Sequence, residues 1–270
     1  MPPSLSRAAT DIDTGCPFTR VSTVTGLPLL AFALLKIFTK FSRLDAAAVA
    51  AHYGSISIVT FVAATSVLEG RAIAAEGYMV AVAAAMEAPA ILSALWLISR
   101  NGSSGRMEPG LMREILLNGS IVLLVGSFVI GLMTGEKGLA EIAPFIVSPF
   151  KGVLCLFLLD MGLVAGRGLR QSKGVLGLGA VAFGIVMPLA GSIIGLVMGM
   201  MIGLSTGGVV LLMVLAASAS YIAVPAAMRV ALPEANPAIY LTLSLGVTFP
   251  FNLTLGIPLY VALATQFTGV

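Results

Sequence analysis

The chain has 270 residues, of which 58% are hydrophobic and only 10% are charged. Together with a mean hydropathy of +1.05, this composition excludes a soluble globular domain and indicates a polytopic membrane protein made of helices. The formal net charge of +3 is too small to indicate nucleic-acid binding, so no nucleic-acid partner is expected.

The chain begins with a polar segment, residues 1–24, in which basic and acidic residues are mixed. This segment lacks the pattern of a signal peptide, and we predict that it is disordered or non-native. The apolar stretch Leu27–Phe38 that follows has only twelve residues and contains Lys36, so it spans a membrane only if Lys36 snorkels. Seven later stretches are long enough to span. They are Ala46–Leu68, Gly77–Ser99, Ile115–Thr134, Ile142–Ala165, Val175–Met198, Gly208–Val230 and Pro237–Phe267.

One short motif occurs in two of these stretches. A shift of 163 residues places Gly54-Ser-Ile-Ser57 on Ala217-Ser-Ala-Ser220. The two copies lie an odd number of spans apart, so they are predicted to cross the membrane in opposite directions. Polar clusters repeated in this way are typical of transporters in which two broken helices cross at the bilayer midplane. The alternative is that the copies are two unrelated helix contacts formed by small residues.

The loop 100–112 is rich in Gly, Ser and charge and divides the chain into two unequal parts. Three candidate spans lie in residues 25–99, and five lie in residues 113–270. We therefore predict an all-α inverted-repeat transporter with about eight spans. Three lie in the first part and five in the second, whereas five are expected in each. On this interpretation residues 25–99 are the remnant of a first repeat, and two N-terminal spans are absent.

Basic residues in the loops predict the orientation of the spans. Nine lie on one side and four on the other, which predicts an inner (plasma) membrane protein with its C-terminus outside. The nine on the cytoplasmic side are Lys40, Arg43, Arg100, Arg106, Arg113, Arg167, Arg170, Lys173 and Arg229. The other four are Arg7, Arg20, Arg71 and Lys137.

The repeated clusters predict an anion site. Gly and Ser interrupt a helix, and a half-helix that begins just after them presents unpaired amide groups at the positive end of its dipole. Two such ends can hold a small anion without Arg or Lys. Alternatively, each hydroxyl bonds the backbone of its own helix. The candidate substrate-binding residues are Gly54, Ser55, Ser57, Thr60, Ser218 and Ser220.

Two acidic residues lie within predicted spans, where an ionisable group suggests function. Glu87 precedes Pro89, which frees a backbone carbonyl, so acid and carbonyl together can bind sodium. The corresponding part of the second half carries Thr248 and Asn252 as neutral counterparts. Asp160 is a weaker candidate, because a basic residue of the same span can reach toward it.

Two ring side chains adjoin the clusters and complete the candidate set. His52 precedes the first cluster and either lines the path or is a structural histidine. Tyr221 directly follows the second cluster. No nucleotide loop, zinc signature or nucleophile elbow is present in the sequence. We therefore expect neither an enzyme nor an organic cofactor, and sodium is expected as the coupling ion.

Several segments resemble one known family, the sodium-dependent bicarbonate permeases of cyanobacteria and their bacterial relatives. The segments are Asp45–Ser57, Met86–Ile91, Ala216–Ser220, Pro225–Arg229, Leu232–Pro237 and Gly256–Tyr260. The resemblance implies ten spans in two inverted halves, sodium–bicarbonate symport, a homotrimer, and control by a cytoplasmic PII-like protein.

The predicted function is sodium-coupled symport of bicarbonate into the cytoplasm, with the anion held between the two broken-helix termini. A carrier for another small anion or carboxylate remains an alternative, because paired helix ends do not identify the anion. From a different class, the chain can be a non-transporting membrane receptor or a truncated inactive homologue.

Overall fold

A computed structural model describes residues 17–83, 86, 119–171, 176–222, 224–225, 228 and 232–269. This part of the chain is helical and contains no β-strand, as the all-α prediction requires. The helices are α1 (Pro17–Phe38), α2 (Arg43–Gly54), α3 (Ile58–Gly70), α4 (Gly119–Gln171), α5 (Leu178–Ile202), α6 (Thr206–Ala217) and α7 (Pro237–Thr268).

Two helix pairs, α1–α2 and α5–α6, have the same construction. A shift of 163 residues places α2 on α6, and each of these helices has 12 residues. Each also begins at a serine cap, which satisfies one of the unpaired amide groups of the first turn. The Ser42 side chain accepts from the Asp45 N–H, and the Ser205 side chain accepts from the Gly208 N–H. The caps therefore start both helices at equivalent positions.

A glycine allows the two helices of each pair to approach closely. A Cβ atom at Gly54 would overlap the ring of Pro28 on α1, and one at Gly191 on α5 would overlap the Ala216 carbonyl oxygen. The same shift of 163 places Pro28 on Gly191 and Gly54 on Ala217. Each pair thus has a glycine at this contact, but on opposite helices.

The two halves of the described chain are also tied to each other at helix ends. The Glu76 carboxylate, which follows α3, accepts from the Ser205 N–H (2.6 Å) and the Ser205 hydroxyl (3.0 Å) at the start of α6. The Asp45 carboxylate in α2 accepts from the Asn236 N–H (2.9 Å) at the start of α7. Two carboxylates of the first half of the described chain therefore hold the starts of two helices of the second half.

Helix α7 is continuous but changes its winding twice. The segments Thr242–Thr248 and Asn252–Gly256 are π-helical, and the remainder is α-helical. Pro250 and Pro258 have no amide hydrogen, so each removes an intrahelical hydrogen bond around which the helix rearranges. Short π-helical turns are frequent at functional sites, and here they include Thr248 and Asn252.

Four helices in the described part are long and apolar enough to cross a membrane. They are Arg43–Gly70, which is interrupted at Ser55–Ser57, and Val129–Leu163, Leu178–Ile202 and Pro237–Thr268. Helix α4 carries exposed apolar side chains along most of its length, and lipid tails solvate such surface without cost. The protein is therefore a membrane protein, and the count of eight spans stays a prediction.

Two segments differ from the sequence prediction. Helix α1 begins at Pro17, within the segment 1–24 that we predicted to be disordered or non-native, and its 22 residues extend well beyond Leu27–Phe38. Ser and Thr made residues 17–24 look like a loop, but they lower helix stability only slightly. The predicted spans Ile115–Thr134 and Ile142–Ala165 join in one helical run whose backbone departs from helical geometry at Gly135. The residues that we assigned to a loop there include Glu, Lys, Leu and Ala, which are good helix formers.

Candidate functional site

Two helix interruptions meet in the interior of the protein. Residues Ser55–Ser57 are non-helical between α2 and α3, and Ser218–Ser220 are non-helical after α6. Ser55 ends α2 with φ −97° and ψ 173°, and Ser218 ends α6 with φ −92° and ψ 164°. The two repeated motifs therefore leave their helices with nearly the same backbone conformation. We call the place where they meet the crossing, defined by residues 52–60 and 215–221.

Two hydrogen bonds join the interruptions directly. The Ser57 N–H donates to the Ser218 hydroxyl (2.9 Å), and the Ser220 N–H donates to the His52 carbonyl (2.8 Å). Ser57 comes late in the first segment and bonds Ser218, which comes early in the second. His52 comes early in the first segment and bonds Ser220, which comes late in the second. The two backbones therefore pass each other in opposite directions. All four residues are buried.

Several hydroxyl groups gather at the start of α3. The Ser57 hydroxyl caps this helix, because it accepts from the Thr60 N–H (3.2 Å) and from the Thr60 hydroxyl (2.9 Å). The Tyr221 ring packs edge-on against Phe249 of α7, with centroids 5.0 Å apart. Ser220 plays the capping role after the second interruption, where its hydroxyl accepts from the Val224 N–H (3.4 Å).

Three buried polar atoms at the crossing have no hydrogen-bond partner within the part of the chain that the structure describes. They are the Ser55 hydroxyl oxygen, His52 Nε2 and the Tyr221 hydroxyl oxygen. The His52 ring stacks on Tyr240, with centroids 4.4 Å apart, and its Nδ1 lies 2.6 Å from the Ala48 carbonyl. A carbonyl only accepts, so Nδ1 carries the hydrogen and Nε2 is an unsatisfied acceptor. Unpaired buried polar atoms are rare in proteins and suggest that something else binds there.

The start of α3 has the chemistry of an anion site. Of the four amide groups that a helix leaves unpaired at its N-terminus, the Ser57 N–H bonds Ser218 and the Thr60 N–H bonds Ser57. Within the described part of the chain, this leaves the amides of Ile58 and Val59 at the positive end of the helix dipole. The unpaired Ser55 hydroxyl, three residues before Ile58, supplies a third donor close by in sequence. A small oxyanion needs donors of this kind.

Thr248 and Asn252 on α7, which we predicted to bind sodium, form hydrogen bonds to the two helix pairs. The Thr248 hydroxyl donates to the Gly184 carbonyl of α5 (2.7 Å) and pairs with the Tyr53 hydroxyl (2.6 Å). The Asn252 side-chain amide donates to the Ala217 carbonyl (2.9 Å), the last carbonyl of α6. Both residues therefore contact the crossing, and Asn252 places a partial positive charge at the negative end of the α6 dipole.

The other predicted residues have different positions. Gly54 is buried, but the ring against its Cα belongs to Pro28, so helix packing accounts for this glycine. Asp160 is exposed on α4, away from Leu154, Phe157, Leu158 and Met161, with which α4 packs near Tyr221. The structure does not bring Asp160 to the crossing, because its helix turns another face inward. Glu87, most of the span Gly77–Ser99 and the loop 100–112 lie outside the described residues.

Two tyrosines of the site did not emerge from the sequence. Tyr53 bonds Thr248 as described above, and the Tyr260 hydroxyl donates to the Asn252 side-chain carbonyl (2.9 Å). Gly256 makes room for the second bond, since a Cβ there would lie 2.7 Å from Asn252 Oδ1 and 3.0 Å from the Tyr260 hydroxyl. The spacing Asn-x3-Gly-x3-Tyr places the three residues about one helical turn apart on the same face, and this pattern could have predicted the contact from the sequence.

One comparison with known proteins gives a match for this chain. A family model described as the Na⁺-dependent bicarbonate transporter superfamily matches residues 11–265, which include both serine motifs and all seven helices except the last three residues of α7. No curated protein matches the chain.

Proposed function

The chain belongs to the Na⁺-dependent bicarbonate transporter superfamily, and we propose that it is a secondary transporter that carries bicarbonate together with sodium into the cytoplasm. The family match supports a transporter rather than an enzyme. The coupling of the two ions, the inward direction and the choice of bicarbonate are parts of the proposal.

The observation that carries this proposal is the meeting of two interrupted helices around unpaired polar atoms. Bicarbonate is a planar anion with oxygen acceptors and one hydroxyl donor. The amides of Ile58 and Val59 and the Ser55 hydroxyl would donate to its oxygens. Ser57, Thr60, Ser218 and Ser220 hold the crossing in place, since each of them is engaged with protein groups.

We propose that sodium binds near the carbonyl ends of the interrupted helices. Carbonyl oxygens at a helix C-terminus carry partial negative charge. Asn252 bonds the last carbonyl of α6, and Thr248 bonds the Tyr53 side chain in the last turn of α2. Asn252 already donates to the Ala217 carbonyl, so it supports the ion through its placement of α6 rather than through that amide group. Glu87 would supply the negative charge that makes the site selective for a cation.

The matched helix pairs support an inverted repeat. The same shift of 163 residues relates the caps, the close contacts and the interruptions, and the interruptions run in opposite directions. On this basis we propose two halves inverted in the inner membrane, with the C-terminus outside. The family resemblance adds a homotrimer and a cytoplasmic PII-like regulator to the proposal.

The direct test is uptake of labelled bicarbonate into vesicles that contain the purified protein, with and without an inward sodium gradient. We expect sodium-dependent uptake of bicarbonate that exceeds that of acetate and chloride. Equal uptake of acetate would identify a carrier of carboxylates instead. Bicarbonate binding without uptake in any gradient would favour a receptor or an inactive homologue.

A further inference from the structure

The two halves of the crossing correspond in sequence but are bonded differently. The shift of 163 residues places His52 on Leu215, Ser55 on Ser218 and Ser57 on Ser220. In one half, the Ser220 N–H donates straight to the His52 carbonyl (2.8 Å). In the other half, the equivalent bond would join the Ser57 N–H to the Leu215 carbonyl.

That second bond is replaced by a bridge. The Ser57 N–H donates to the Ser218 hydroxyl (2.9 Å), and the Ser218 hydroxyl donates to the Leu215 carbonyl (3.0 Å). Ser218 is therefore inserted between an amide and a carbonyl that face each other directly in the other half. Its counterpart Ser55 is equally buried, at 1% exposure, yet its hydroxyl has no partner among the described residues.

The ends of α2 and α6 also differ in their backbone hydrogen bonds. At the end of α2 the Ser55 N–H donates to the Ala51 carbonyl (3.2 Å), four residues back, which leaves the His52 carbonyl for Ser220. At the end of α6 the Ser218 N–H donates to the Leu215 carbonyl (3.4 Å), three residues back. The dihedral angles of Ser55 and Ser218 nevertheless agree within about ten degrees. The backbone at the two serines is therefore compatible with either arrangement, and the two arrangements differ in side-chain rotamer and in the separation of the amide from the carbonyl.

We infer that the crossing exchanges between two arrangements in which Ser55 and Ser218 trade places. In the arrangement seen here, Ser218 is the bridge and the Ser55 hydroxyl is free. In the exchanged arrangement, Ser55 bridges the Ser220 N–H and the His52 carbonyl, and the Ser218 hydroxyl is free. A buried hydroxyl without a partner is unfavourable, so a ligand that bonds the free serine would stabilise either arrangement.

This inference deepens the proposed function, on which its meaning for transport rests. If the two halves are inverted in the membrane, the exchange moves the free hydroxyl from the α2 side of the crossing to the α6 side. The anion then meets one free serine in each state. Ser55 and Ser218 would thus be alternate binding groups rather than simultaneous ones.

A double-mutant cycle on the stability of the purified protein tests the exchange without any transport measurement. Ser55→Ala alone removes a hydroxyl that bonds nothing here, so little change in melting temperature is expected. Ser218→Ala removes the bridge, and the exchanged arrangement then takes over with Ser55 as the bridge. We therefore expect a modest loss for Ser218→Ala alone and a loss for the double variant that clearly exceeds the sum of the single losses.

The matched control combines Ser55→Ala with Ser148→Ala, which lies exposed on α4, and is expected to be additive. Ser218→Thr keeps the hydroxyl and should remove the coupling, so that Ser55→Ala again has little effect in that background. If Ser218→Ala does not fold, Ser218→Cys takes its place in the same cycle. Additive losses in the serine cycle would overturn the exchange, whether or not the protein carries bicarbonate.

Discussion

The ring of Pro28 on α1 lies directly against the Cα atom of Gly54 at the end of α2. Gly54 is the last helical residue before the first serine motif, so this contact sets where the interruption begins relative to α1. It also explains why the motif starts with glycine in the first half and with Ala217 in the second, where Gly191 provides the space on the opposite helix.

Gly54→Ala is expected to lower stability, because the added methyl group would overlap the Pro28 ring. Overpacking of this kind typically costs about 1–3 kcal/mol. The loss should appear in thermal unfolding in detergent. Gly26→Ala on the same helix as Pro28 is the control, since a Cβ there meets nothing within 4 Å. The double variant Pro28→Ala/Gly54→Ala should recover part of the loss, and no recovery would contradict the contact as its cause.

Ser55→Ala is expected to weaken bicarbonate binding while leaving the fold intact. A hydrogen bond to a charged group contributes about 1.5–3 kcal/mol, which corresponds to an increase in KM of roughly tenfold or more. The measurement is the concentration dependence of sodium-driven uptake, with Ser148→Ala as the control on exposed surface. An unchanged KM would show that this hydroxyl does not meet the anion.

Thr248→Val is expected to destabilise the protein through two lost hydrogen bonds. The Tyr53 hydroxyl and the Gly184 carbonyl both bond the Thr248 hydroxyl, and unpaired buried groups cost about 1–3 kcal/mol. Tyr53→Phe in the Thr248→Val background should cost less than it does alone, because it removes a group that is already unpaired. Thr254→Val, on the exposed side of α7, should have a small effect. Equal costs of Tyr53→Phe in both backgrounds would mean that the two hydroxyls are not coupled.

Glu87→Gln is expected to raise the sodium concentration needed for half-maximal uptake. Glutamine preserves the size and hydrogen bonding of the side chain but removes the charge that we propose for the cation site. Uptake is measured over a range of sodium concentrations, and Glu136→Gln on exposed α4 is the matched control. If the sodium dependence of uptake is the same in both variants, Glu87 has a structural role only.

Local patterns were sufficient to predict much of this protein. Long apolar stretches predicted a helical membrane protein, and the repeated serine motif correctly located both interruptions, at Ser55–Ser57 and Ser218–Ser220. Helix boundaries were less accurate: α1 starts earlier than predicted, and Glu136 and Lys137, which we left between two spans, are helical directly after the break at Gly135. Intrinsic helix propensities are too weak to set these boundaries, because packing against neighbouring helices and the membrane contributes more to helix stability.

By itself the sequence determined the fold class, the family and the pairing of Ser55 with Ser218, since hydropathy and repetition can be found without knowing any distance. Only the tertiary structure decided what each serine does. Ser218 bridges Ser57 and Leu215, whereas the Ser55 hydroxyl has no partner among the residues that the structure describes. The motifs and backbone angles of the two serines are nevertheless nearly the same. Whether an amide bonds a carbonyl directly or through a serine hydroxyl depends on how far apart two segments distant in sequence lie, and that distance is set by how the helices pack.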